Sequence, residues 1–97
     1  MRSAGFHLEA ESELIDAARY YADQADGLGE DFLAAVQGVV RRIGELPESG
    51  RPFGHRLRRL LVPGFPYAVI YRPEADGLLV VAVAHVRRRP GFWQRRA

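Results

Sequence analysis

Four residue types are missing from this chain of 97 residues, cysteine and lysine among them. Without cysteine there are no disulfides and no thiolate metal sites. Without lysine there is no amine for proton transfer, and all 14 cationic side chains are arginine, a permanently charged planar fork that grips phosphate or carboxylate through paired bonds. GC-rich coding accounts for arginine in place of lysine better than function does, but not for where the arginines stand. Long apolar runs are also lacking. None approaches the roughly 20 residues that a membrane-spanning helix requires, and Met1-Arg2-Ser3-Ala4-Gly5 leads into no apolar leader core. The expectation is a cytoplasmic protein with no membrane contact. The three histidines lie far apart, the acids follow helical spacing, and no glycine-rich phosphate loop precedes a helix. No metal and no cofactor is expected.

What is present is a folded composition with an uneven charge distribution. Hydrophobic residues make up 47% of the chain and charged residues 27%, which fits one globular domain over 1–97. Residues 1–50 carry four Arg against ten Asp/Glu, a net of −6, and residues 51–97 carry ten Arg against two acids, a net of +8. Such a division predicts two surfaces with different tasks, the basic one suited to a polyanion or an acidic partner.

The patterning changes once. Before Pro47 it is helical: Leu14, Ala17, Ala18, Tyr21 and Ala25 form one stripe, and Phe32, Val36, Val39, Val40, Ile43 and Leu46 a second. Glu9, Glu11 and Glu13 suit the positive end of the first helix, the Gly27–Gly29 segment breaks the pair, and Pro47 stops the second. A short strand is expected at Phe6–Leu8, and a loop from Pro47 to Gly54. Three strand-like runs follow, about 55–62, 65–72 and 78–86, separated by turns short enough to make neighbours antiparallel. The predicted fold is α+β: an N-terminal helical hairpin packed on one face of a three- to four-stranded antiparallel sheet. The other face, with the tail from Arg87 to Arg96, is expected to be a basic and partly aromatic concavity. Alternation puts His85 with Arg87, and Arg56 with Arg58, on common faces if those strands run so far. Tyr67 and Tyr71 alternate with Val69 and suit the core. His7 and His55 carry no supporting motif.

Three groups of residues resemble the RelE/ParE toxin superfamily. The first is Leu8-Glu9-Ala10, Ala17-Ala18-Arg19-Tyr20-Tyr21, and Leu28-Gly29 before Phe32. The second is Leu57-Arg58-Arg59-Leu60, Gly64-Phe65-Pro66-Tyr67 and Ile70-Tyr71-Arg72. The third is Ala82-Val83-Ala84-His85-Val86-Arg87-Arg88, Pro90, Phe92-Trp93 and Arg95-Arg96. They span nearly the whole chain in the family's order. The resemblance implies the toxin of a type II toxin–antitoxin system, with a small, usually acidic antitoxin protein as partner. It implies one of two actions: inhibition of DNA gyrase, as in the ParE-like branch, or ribosome-dependent mRNA cleavage, as in the RelE-like branch.

RNA cleavage needs a base, cations for the crowded phosphate and an acid for the leaving oxygen. By this resemblance Arg87 matches the family's functional arginine, Arg58 its strand arginine, and His85 is the acid–base candidate, titrating near neutrality. Arg56, Arg88 and Arg89 would bind nucleic acid or another target, and Phe92 and Trp93 would stack or anchor there. The alternatives are a strand-end histidine packed on the sheet, an Arg58 that pairs locally, and a solvated charge run at 87–89. Several features of the RNA-cleaving branch are missing: its strand lysines, an arginine whose place falls at Ala68, and a C-terminal tyrosine replaced by Phe92-Trp93. The reading favours a gyrase-directed or unassigned inhibitor, with an mRNA endonuclease as the alternative and a non-toxic nucleic-acid-binding or structural relative as the third.

Overall fold

The computed structural model describes residues 3–89 and 91–96. Along the chain it forms β1 (Ser3–Phe6), α1 (Leu8–Gln24), α2 (Leu28–Glu45), β2 (Arg51–Pro52), β3 (Arg58–Leu61), β4 (Tyr67–Glu74) and β5 (Gly77–His85).

Local chemistry sets the helix ends. His7 caps α1, its Nδ1 accepting from the Glu9 amide at 3.1 Å, and Glu9 and Glu11 occupy the first turn. Gly27 adopts a left-handed φ of 79° and turns the chain into α2, whose first turn holds Glu30 and Asp31. The expected stripes form the buried faces, except that Ala25 and Leu46 lie beyond the helices and are exposed. Small residues let the helices approach: a Cβ on Gly29 would stand 2.6 Å from the Ala18 carbonyl oxygen. Phe32, fully buried, centres the core, with ring centroids 5.3, 5.1 and 5.1 Å from Tyr21, Phe65 and Tyr67.

The α+β class and the helical hairpin on one sheet face are as the sequence predicts, and the strands after Gly54 do pair antiparallel. The sheet is larger than expected, with five strands in the order β1-β5-β4-β3-β2. The two strands outside the three runs after Gly54 are both edges. β1 starts three residues and ends two residues before the Phe6–Leu8 expectation and runs parallel to β5, while β2 falls inside the expected loop. Pro52, which has no amide proton to donate, is tolerated at such an edge. The run expected at 55–62 shortens to β3 because Gly54 and Arg56 both take positive φ, 81° and 62°, in a turn closed by Phe53 N–H to Leu57 O.

A bulge in β5 decides which side chains face the helices. The register steps from Ile70 opposite Ala82 to Tyr71 opposite Val80, leaving Val81 as the extra residue. Leu78 and Val80 face the helices on one side of the step, Val83 on the other. Val81 and Ala82 turn to the opposite face, where they pack with Leu57 and Ile70.

The close helix crossing generates a test. Alanine in place of glycine in a helix ordinarily stabilises by up to about 1 kcal/mol. Gly29→Ala is expected instead to lose about 1–3 kcal/mol in denaturant unfolding, the scale of overpacking. Unchanged or raised stability would show that the hairpin is not held at this distance.

Candidate target-binding face

The face away from the helices is partly roofed by the chain's own C-terminal segment. After β5 the backbone turns sharply. Arg87 N–H reaches His85 Nδ1 at 3.1 Å, and Arg88 N–H reaches the His85 carbonyl at 3.0 Å. Gly91, at φ 98°, and the bonds Gln94 N–H to Gly91 O and Arg96 N–H to Trp93 O fold the tail back across the sheet. Phe92 and Trp93 land half-buried on the Leu57, Ile70, Val81 and Ala82 cluster. Their rings meet at 4.9 Å, and Trp93 packs on Phe53 at 4.8 Å. The Arg88 guanidinium lies 3.6 Å over Phe92, and that of Arg59 lies 5.4 Å over Phe53.

These side chains enclose a hollow of about 110 Å³, floored by Ala68, Ile70 and Ala84 and rimmed by Arg59 and Arg88. The expected basic and partly aromatic concavity therefore exists, built by residues only partly foreseen. Phe53 and Arg59 were missed. Residues 58–61 alternate across the sheet, and Arg59 lies opposite Ile70, so pairing Leu60 with the helical core would have placed Arg59 on the open face in place of Arg58.

The three residues proposed for catalysis do not converge. His85 ends β5, half-buried, with its ring 5.4 Å from Tyr67 on the helix-facing side, though the residue also borders the hollow. Arg87 is exposed in the turn, because β5 stops at His85 and alternation no longer aligns the two. Arg58 lies opposite Tyr71, and its Nη1 donates to the carbonyls of Gly50 at 2.7 Å and Glu48 at 3.4 Å. It fastens the loop after α2 together with Tyr71, whose hydroxyl donates to Pro47 O and accepts from Gly50 N–H. His85 faces Tyr67 and Arg58 faces Tyr71, so they stand about 13 Å apart measured along β4 alone. Burial, with a smaller effect of Tyr20, pushes the Tyr67 hydroxyl above its ordinary pKa and keeps it protonated. Arg56 is exposed at the β2–β3 turn and does not share a strand face with Arg58, and Arg89 is exposed after β5.

One acidic residue organises the cationic side of this face. Glu13 of α1 accepts from Arg88 Nη1 at 2.5 Å and from Arg96 Nη1 and Nη2 at 2.9 and 3.1 Å. It also accepts from the Val83 N–H at 3.1 Å, while Arg96 Nη1 donates to the Val81 carbonyl at 3.2 Å. Arg96 is 7% exposed, and its Nε sits 2.6 Å from Glu9 Oε2, an ion pair outside hydrogen-bond geometry. Burial alone would lower the Arg96 pKa. The carboxylates of Glu13 and Glu9 outweigh it and hold the guanidinium above its ordinary value. Arg87, Arg89 and Arg95 remain exposed. Among the described residues no group of His, Asp or Glu is arranged to hold a metal ion, and no helix is long and apolar enough to cross a membrane.

Comparison with known proteins gives concordant matches. The family described as "ParE toxin of type II toxin-antitoxin system, parDE" matches residues 5–90. Toxin ParE2 of Mycobacterium tuberculosis, in strains CDC 1551 / Oshkosh and H37Rv alike, is 31% identical over 85 residues, covering 87% of this chain and 81% of that protein. A chain of the solved "Chromosomal ParDE TA system from P. aeruginosa" superposes with a TM-score of 0.63 at 22% identity, covering 88% of this chain and 96% of that one, a likeness of fold.

Burial of the C-terminal rings has a measurable consequence. Trp93→Ala is expected to lose about 2–4 kcal/mol in denaturant unfolding, near the range for aromatic truncation in a core, and to raise binding of a hydrophobic dye. A loss of a few tenths of a kcal/mol would mean that the ring is an exposed anchor.

Proposed function

The chain belongs to the ParE family of toxins of type II toxin–antitoxin systems, and from that premise we propose that it arrests growth by binding its target, DNA gyrase, without cleaving RNA. The whole of 1–97 acts as one toxin domain, neutralised by a small acidic antitoxin protein. The observation that carries this reading is the floor of the hollow. The place of the arginine that the RNA-cleaving branch uses is taken by Ala68, which is 3% exposed and lines an apolar floor with Ile70 and Ala84. His85 is turned toward Tyr67 with its Nδ1 occupied by the Arg87 amide, and Arg58 is committed to the loop carbonyls. A face of this kind binds by shape and charge. Its half-buried rings and the exposed Arg87, Arg89 and Arg95 suit an acidic protein surface, with charge steering encounter and apolar anchors carrying affinity.

The test pairs two assays on the purified chain. Supercoiling by gyrase is expected to be impaired, and ribosome-bound mRNA is expected to stay intact. A general acid or base contributes about 10²–10⁴-fold to a cleavage rate, so His85→Gln separates the branches. Growth arrest by that variant is expected to match the wild type. Codon-specific cuts that disappear in His85→Gln would assign the chain to the RNA-cleaving branch, and absence of growth arrest by the wild type would leave a non-toxic relative.

A further inference from the structure

β5 has one edge that its neighbours do not finish. β1 pairs with it only from Gly77 to Val80, and the His7 amide takes the Val80 carbonyl at 2.9 Å. Beyond that point, among the described residues, the Val81 carbonyl and the Val83 N–H have no strand beside them, in the middle of the most buried strand of the sheet. Two side chains stand in for the missing strand: Arg96 donates to Val81 O and Glu13 accepts from Val83 N–H. They also bond to each other through two guanidinium nitrogens. The same Glu13 carboxylate holds Arg88, which covers Phe92 at 3.6 Å, and the Arg96 guanidinium stands 5.1 Å from the Phe92 ring from its other bonds. The aromatic wall of the hollow is thus bonded at both ends to one carboxylate on a helix that packs on the other side of the sheet.

We propose that Glu13 is a positioning residue for target binding: it latches the 91–96 segment onto the sheet through Arg96 and Arg88 and so sets the shape of the basic, aromatic face. It does not touch the target itself. Without its charge, Arg96 has neither its bonding partner nor compensation for its burial, and Arg88 is free to leave Phe92. The segment then lifts, Trp93 becomes accessible, and the hollow loses Phe92 and Trp93 as walls. The inference rests on the reading that this face engages the target.

Trp93, the single tryptophan of the chain, reports on the latch directly. The experiment compares the full-length wild type with Glu13→Gln, Arg96→Met and Gly29→Ala, the last as a destabilised control that leaves the latch intact. Acrylamide quenching and the emission maximum follow Trp93, and induced growth arrest follows toxicity. The expected result is a red-shifted, more quenchable Trp93 and a toxicity loss of about tenfold or more in both latch variants, the scale of losing an interface anchor, with Gly29→Ala resembling the wild type in both readouts. Trp93 as protected in the latch variants as in the wild type overturns the proposal. So does a released Trp93 with full growth arrest, or an equal toxicity loss in Gly29→Ala, which would reduce Glu13 to a contributor to stability. Should Glu13→Gln fail to fold, Arg96→Met removes the same link from the other end. Should the wild type fail to arrest growth, the proposed function falls, and Trp93 accessibility alone decides whether the latch exists.

Discussion

The contact on which the rest of this molecule depends is the one between Glu13 and Arg96 at the unfinished edge of β5. A buried amide or carbonyl left without a partner costs about 1–3 kcal/mol, and the stretch Val81–Val83 presents one of each. A longer β1 would have satisfied them with backbone. The chain instead enters α1 at Leu8, one residue after the His7 cap, and Glu13, on the second turn of that helix, comes to lie over the gap. A carboxylate placed there to accept from an amide has acceptor capacity to spare, and two arginines take it up. Because one belongs to the turn after β5 and the other to the tail, closing the edge also fixes the path of the C-terminus.

The charge division of the sequence acquires a different meaning in space. Acidic and basic halves meet where α1 contacts the tail, and the arginines nearest that seam, Arg88 and Arg96, serve the fold. Arg87, Arg89 and Arg95 are left to solvent on the same stretch of chain. The second face of the sheet is thereby half core and half surface. The helices cover one face, and on the other Phe92 and Trp93 of the tail supply part of the cover.

The helices and the main strands were legible because their signals are local and repeated. Phe32, Val36, Val39 and Ile43 recur at helical spacing, and Pro63-Gly64 and the segment Pro73 to Gly77 mark the breaks between strands, although β4 runs on through Pro73 to Glu74. The bulge at Val81 was not legible. An apolar run such as Leu78–Ala84 looks the same in either parity, so the face assigned to His85 and Arg87 depended on a register that only the pairing with β4 fixes. The edge strands are hard to read for a related reason, being two to four residues long with no alternation: β2 escapes altogether, and the strand expected at Phe6–Leu8 is displaced to Ser3–Phe6. The preference for Arg58 rests on the resemblance, and pattern alone does not separate it from Arg59, since adjacent arginines on a strand are equivalent until one face is known to be covered. Phe92 and Trp93, expected to stack or anchor at the target, also pack on the sheet, and no local pattern shows that the segment folds back. Glu13 was assigned to the helix dipole, and its partners lie 70 to 83 residues away, beyond any spacing argument.

The central claim is that Glu13 and Arg96 act as one unit at the edge of β5, and a double-mutant cycle measures that unity directly. Stabilities of the wild type, Glu13→Gln, Arg96→Met and the double variant, each from denaturant unfolding, give the coupling without reference to any target. The account predicts a coupling on the order of 1–3 kcal/mol, within the range found for contacting residues, with the double variant costing much less than the two single losses added. Strictly additive losses would contradict it, since they would mean that the helix and the tail are held independently and that no shared contact organises the face between them.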